Sequence, residues 1–168
     1  MNWRRIILGA TCFTLGCTVF HFAQNGVVVL NGSHSLPQNA FLMDSSITKP
    51  IRGAYASFDP PVSVEKFFTD LVFVKKIVGL EGDAVIATND EVCVATRCFS
   101  IDPEKRAEGF LPLESGVIPD GFFFASGVSD DSLDSRYAII GLIPVDTIKA
   151  IGVGTPFPHW TALKGWLS

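Results

Sequence analysis

Two serines, Ser33 and Ser35, lie two residues apart in the stretch NGSHSLPQNAF, residues 31–41. A serine hydroxyl becomes a useful nucleophile only when a neighbouring base takes its proton. The histidines available for that task are His21, His34 and His159. His34 adjoins Ser35, and adjacent side chains in an extended segment point to opposite faces. His21 sits in an apolar run, and His159 lies in a turn-like tail, PFPHW, that reads as surface. A serine–histidine–aspartate arrangement is therefore disfavoured, and a serine–lysine pair fits the available groups better.

The lysines come from LVFVKKIVGL, residues 71–80, the strongest strand signal in the chain. Alternation puts Phe73, Lys75 and Ile77 on one face and Val74, Lys76 and Val78 on the other. With apolar groups on both faces, at least one ammonium lies against them. Losing water lowers a lysine pKa from about 10.4, and bringing it near neutrality takes roughly 3–4 kcal/mol of differential solvation. A neutral lysine is a general base. The same lysines on an edge strand guard against aggregation. The strand by itself leaves both readings open.

A third polar segment is GVSDDSLDSRY, residues 127–137. It reads as a turn between strands, with Asp and Ser bonding the local backbone. Ser132 is placed to orient a lysine head, and Asp134 and Arg136, two apart, can pair or brace the site. Asp130, Asp131 and Asp134 lack the alternation and central glycine of a calcium loop, so no metal is expected.

Those groups need a scaffold and an address. The chain has 168 residues, enough for one domain plus an anchor. Hydrophobic residues make up 48% of it and mean hydropathy is +0.35, part of which the first thirty residues supply. The net charge of −4, with no basic stripe, argues against a nucleic-acid partner. Arg4 and Arg5 precede 18 apolar residues, Ile6 to Ala23, which as a helix span about 27 Å. The arginines keep the N-terminus cytoplasmic, so the remainder faces outward. A cleaved signal peptide is the rival, but His21 would occupy its −3 position. The expected organisation is a cytoplasmic segment 1–5, a transmembrane anchor 6–26 and an exported domain 27–168. His21 falls at the interface, and the tail tryptophans Trp160 and Trp166 either dip into headgroups or pack on the domain.

Beyond the anchor the signals are mostly β. Strands are expected at 27–30, 53–59, 71–80, 121–128 and 136–144. A hairpin turns near Asn89–Asp90, a helical turn or loop covers 62–70, and 102–121 is loop-like. Cys12 and Cys17 are about 140° apart around a helix and read as small apolar residues. Cys93 and Cys98, in EVCVATRCFS, make a weak zinc signal; in an exported domain they fit a hairpin disulfide.

In this order, the segments resemble the signal peptidase I family of serine–lysine proteases. More narrowly they are similar to its conjugative-transfer, TraF-type branch. The resemblance rests on the anchor, S-x-S-L-P, RGAYASF, FVKKIVGLEGD and GFFFASGVSDDSLDSRYAIIGLIP, and so covers nearly the whole chain. It implies a mainly β, signal-peptidase/LexA-like antiparallel catalytic domain on one N-terminal transmembrane helix, with a small inserted subdomain at about 88–118. It implies Ser35 as nucleophile, Lys75 as base, and Lys76 as a structural cation. Ser33 joins the Ser35 backbone N–H in an oxyanion hole. Ser132 orients Lys75, and Asp134 and Arg136 support it. Gly82 and Asp83 close the lysine motif.

Three departures stand out. Ser35-Leu36-Pro37 lacks the spacer of the usual Ser-Met-x-Pro, a shortening shared by the conjugative branch. Glu81 replaces a proline in G-L-P-G-D. The box before D-S-R-Y lacks G-D-N and is one residue shorter. The implied activity is removal of a signal or pro-segment from exported precursors, most specifically propilin, with the acyl group passing to water or to the pilin's own N-terminus. No cofactor is implied; the partners are the precursor and the lipid bilayer, and the place is the bacterial inner membrane with the domain on the periplasmic side. A general signal peptidase and a non-catalytic scaffold of a secretion apparatus are the alternatives.

Overall fold

The computed structural model describes residues 3–156, so His159, Trp160 and Trp166 lie outside the described residues. The chain opens with helix α1 (Trp3–Asn25). Its stretch Ile6–Asn25 is long and apolar enough to cross a bilayer, and none of it is buried against the rest of the chain. Cys12 and Cys17 are exposed on it as free thiols.

The strands are β1 (Gly26–Leu30), β2 (Ala40–Asp44), β3 (Tyr55–Phe58), β4 (Phe73–Gly79), β5 (Ala84–Ala87), β6 (Glu91–Val94), β7 (Arg97–Ser100), β8 (Gly116–Val117), β9 (Phe122–Ser126), β10 (Ile143–Pro144) and β11 (Ile148–Gly154). Short helices α2 (Val62–Glu65) and α3 (Pro103–Ala107) interrupt them. Seven strands form one sheet in the order β1-β2-β11-β3-β4-β9-β10, and four form a second, β7-β6-β5-β8. Every pairing is antiparallel. The fold is thus a mainly antiparallel β domain behind an apolar N-terminal helix.

Alternation along β4 distributes its side chains as expected. Ile77 joins a core with Phe58, Phe123 and Ile151, while Val78 on the other face joins a second core with Val92, Phe124 and Tyr137. A third cluster, Leu36, Phe41, Met43 and Ala150, sits under the serine-bearing loop. Gly79, where β4 leaves the large sheet, has no room for a side chain. A Cβ there would come within 2.5 Å of Val94 and 2.6 Å of Ile118, so the two sheets meet at this point.

Three segments depart from the sequence expectation. Residues 102–121 are not merely loop: Asp102 caps α3 by accepting the Glu104 N–H at 2.8 Å, Pro103 opens it, and β8 follows. Residues 136–144 are not a strand. Tyr137 bridges Pro112, and its carbonyl then takes both the Ile140 and Gly141 N–H groups. The chain turns there, with Gly141 at φ +69°, and only Ile143–Pro144 pairs. Finally, β2 carries no strand expectation, yet it is central to one end of the sheet.

The hairpin β5–β6 turns at Asn89–Asp90 as expected, with Thr88 N–H donating to the Glu91 carbonyl. Across β6–β7, Cys93 faces Cys98 in register, and the two are joined in a disulfide. Closing so short a loop stabilises by about 2 kcal/mol in the chain-entropy picture. Reduction, or the double substitution Cys93→Ser/Cys98→Ser, should lower the unfolding free energy of the domain by about that amount. Denaturant titration with and without reductant checks it.

Candidate active site

Asn31, at the end of β1, organises the serine loop. Its buried amide donates to the carbonyls of Leu36 (2.9 Å) and Gln38 (2.7 Å), and its Oδ1 accepts the Ser33 N–H at 3.1 Å. The Ser33 and Ser35 hydroxyls lie 2.9 Å apart, and Ser33 Oγ is also 3.3 Å from Asn31 Oδ1. The Ser35 carbonyl accepts the Val128 N–H at 2.8 Å, which ties this loop to the segment after β9.

Strand β4 carries Lys75 into the same place. It is 6% exposed, and its Nζ donates to Ser132 Oγ at 2.8 Å. Burial draws its pKa down from 10.5 to about 8; Arg136 adds to the lowering, while Asp134 and Asp131 act the other way. Lys76 points to the opposite face, its ammonium 5.8 Å from the Tyr55 ring centroid. Of the two lysines, the expected one is dry.

The turn 127–136 is held by a buried ion pair. Arg136 Nε donates to Asp134 Oδ1 at 2.9 Å and its Nη2 to Oδ2 at 3.1 Å, with both side chains almost wholly buried. The guanidinium also donates to the carbonyls of Ser100, Ser129 and Asp130, and Asp134 accepts the Gly127 N–H. A buried pair is favourable only when its remaining hydrogen-bonding groups find partners, and these do. Ser132, 3% exposed, is the residue this brace presents to Lys75.

Ser33, Ser35, Lys75 and Ser132 all line one cavity of about 610 Å³. Apolar side chains, among them Leu30, Phe41, Phe68 and Leu71, complete its walls, with His34 and Asp131 also at the lining. The strand edge beside it is open. β4 pairs with β3 from Phe73 onward, but its pairing with β9 begins only at Lys76–Ser126. Gly82 (φ +82°) and Asp83 close the turn after β4, where Asp83 accepts the Leu80 N–H and pairs with Arg52.

A profile of the signal peptidases, peptidase S26, matches residues 1–159. The chain belongs to this family. Signal peptidases of this class are serine endopeptidases acting on exported precursor proteins, and one N-terminal apolar helix fits a membrane-anchored member. No curated protein matches the chain. Among solved structures, a signal peptidase I from Enterococcus faecalis V583 is similar at 21% identity and a TM-score of 0.38, covering 64% of this chain and 97% of that one.

Sequence reasoning missed two residues that shape this candidate site. Asn31 shapes the serine loop, yet an Asn–Gly pair after a strand signals only a turn. Gly127 is the other: a Cβ there would lie 2.3 Å from Ser132 Oγ and 2.7 Å from the Ser35 carbonyl. Neither position betrays its contacts without the fold.

The depressed lysine pKa makes stability depend on pH. Below pH 8 the folded protein holds a buried ammonium that the unfolded chain would hold in water, which is unfavourable. Between pH 8 and about 10.4 the unfolded state binds more protons, so stability rises with pH, by roughly 3 kcal/mol across the window. In Lys75→Met that rise should be absent. Denaturant unfolding of the detergent-solubilised wild type and variant over this range checks it.

Proposed function

We propose that this signal peptidase cleaves with a serine–lysine dyad, Ser35 as nucleophile and Lys75 as general base. The observation that carries the reading is the Lys75 amine, shut from water, lowered to about 8, and opening onto the same cavity as Ser35. A base with a pKa near the working pH combines availability with proton affinity.

In the proposed reaction the Ser35 hydroxyl leaves its Ser33 partner and gives its proton to neutral Lys75 as its oxygen adds to the scissile carbonyl. Ser132 holds the amine in place. Ser33 Oγ and the Ser35 N–H then face the oxyanion. The ammonium returns the proton to the departing amine, leaving an ester on Ser35. Attack on that ester by water releases the acid. Attack by the substrate's own N-terminal amine would instead close a ring. The open edge of Phe73–Lys75 offers backbone groups with which an extended peptide can pair on its way to Ser35.

The working place follows from the anchor. Residues 1–5 are assigned to the cytoplasm, 6–26 to the bilayer and 27–168 to the periplasmic side. The arginines before the helix and a disulfide suited to an oxidising compartment support this. The substrate we infer is a propilin of a conjugative-transfer system. The compact Ser35-Leu36-Pro37 motif and the small second sheet, three of whose four strands fall within the subdomain assigned to about 88–118, support that branch.

Co-expressed propilin should remain unprocessed with Ser35→Ala and with Lys75→Ala, while both variants stay folded in the membrane; normal processing by Lys75→Ala would overturn the dyad. Mass spectrometry of the wild-type product separates a linear pilin from one lighter by a water. Ser33→Ala should lower the rate by about 10²–10³, the usual cost of one oxyanion donor. The pH profile of kcat/KM should rise through an apparent pKa near 8, because only the neutral amine accepts the proton.

A further inference from the structure

No linker separates the anchor from the sheet: α1 ends at Asn25 and β1 begins at Gly26. Three features fasten the junction. His21 Nε2 lies 2.6 Å from Asp44 Oδ2, one helical turn before the end of α1. Asp44 closes β2, and its other oxygen accepts the Ser46 N–H at 2.8 Å and the Ser46 hydroxyl at 2.6 Å. Ser45 donates both its N–H (2.9 Å) and its hydroxyl (3.0 Å) to the Asn25 carbonyl, one of the groups a helix end leaves open. At Gly26 a Cβ would sit 2.4 Å from the Phe22 carbonyl oxygen, so the helix enters the strand too tightly for a side chain.

From there β1 runs straight to the serine loop. Its five residues extend about 17 Å at 3.3–3.4 Å each, and Asn31 holds the Ser33–Ser35 loop at the far end. A flexible tether would let the cavity sample many heights above the lipid. A helix clamped to the sheet at both β1 and β2 holds one.

We propose that this junction is a ruler: His21, Asp44 and Ser45 are positioning residues that fix Ser35 at one distance from the bilayer, so the enzyme selects precursors by the number of residues between their own membrane-buried segment and the scissile bond. The inference rests on the protease reading above. Its logic is one of scale. Each residue of extended chain moves a bond by about 3.3 Å, whereas a misplacement of about 1 Å already costs up to 10²-fold in rate. Enzyme and precursor share the bilayer as a common reference plane, so a rigid junction turns spacing into selectivity.

The test places full-length enzyme in vesicles with precursors whose spacer between apolar segment and cleavage site varies one residue at a time. A short soluble peptide carrying the same cleavage site serves as the second substrate. Wild type should cleave best at one spacer length and fall by about 10²-fold a few residues to either side. A three-residue glycine–serine insertion between Asn25 and Gly26, or His21→Ala with Asp44→Ala, should flatten that profile. Their kcat/KM on the soluble peptide should stay at the wild-type value. The exchanged pair His21→Asp/Asp44→His should restore the optimum. An insertion variant that keeps the wild-type optimum and steepness overturns the ruler alone. A wild type that leaves the soluble peptide intact overturns the protease reading and the ruler with it.

Discussion

Shutting the Lys75 amine away from water is the constraint around which the domain is arranged. An ammonium there is unfavourable, so the surroundings must be strong enough to impose it. Strand β4 supplies the imposition, because it is locked between β3 and β9 and anchored in two cores by Ile77 and Val78. The strand thereby fixes where the Lys75 side chain leaves the backbone. The Ser132 hydroxyl accepts the amine's hydrogen bond without adding a charge that would restore the ammonium.

The charges beside the amine oppose one another. Arg136 and Asp134 form a buried pair whose members act on Lys75 in opposite directions. This lets a highly charged turn stand beside the amine while leaving desolvation as the dominant influence on it. The same pair is rigid, being bonded to the carbonyls of Ser100, Ser129 and Asp130, and so delivers Ser132 at a defined point. Electrostatics and placement are thus served by one interaction.

Much of this was legible from the residue pattern, and the exceptions have physical reasons. Period-two alternation in LVFVKKIVGL located β4 and separated Lys75 from Lys76, because a strand has only two faces. Cysteines flanking a short turn pointed to the hairpin disulfide. The apolar run RYAIIGLIP misled because hydrophobicity reports burial, not extension: Tyr137 and Ile140 are buried in turns. Asp102-Pro103 did carry a helix-start signal, but α3 is five residues long, below what periodicity resolves. β2 was hidden by the proline and polar residues before it. Asn31 and Gly127 act through contacts with distant backbone, which no local pattern encodes.

The gap in pairing beside Phe73–Lys75 has a consequence for what the enzyme can touch. An unpaired strand edge invites any chain with spare backbone hydrogen bonds, and here it lies inside a cavity that Ser35 also lines. A finished protein has already committed its amides and carbonyls to its own helices and sheets. Only a polypeptide caught before folding, or held extended as it emerges from a membrane, has them to offer. On the proposed reading, timing therefore protects mature neighbours: a cleavable motif becomes invisible once its owner folds.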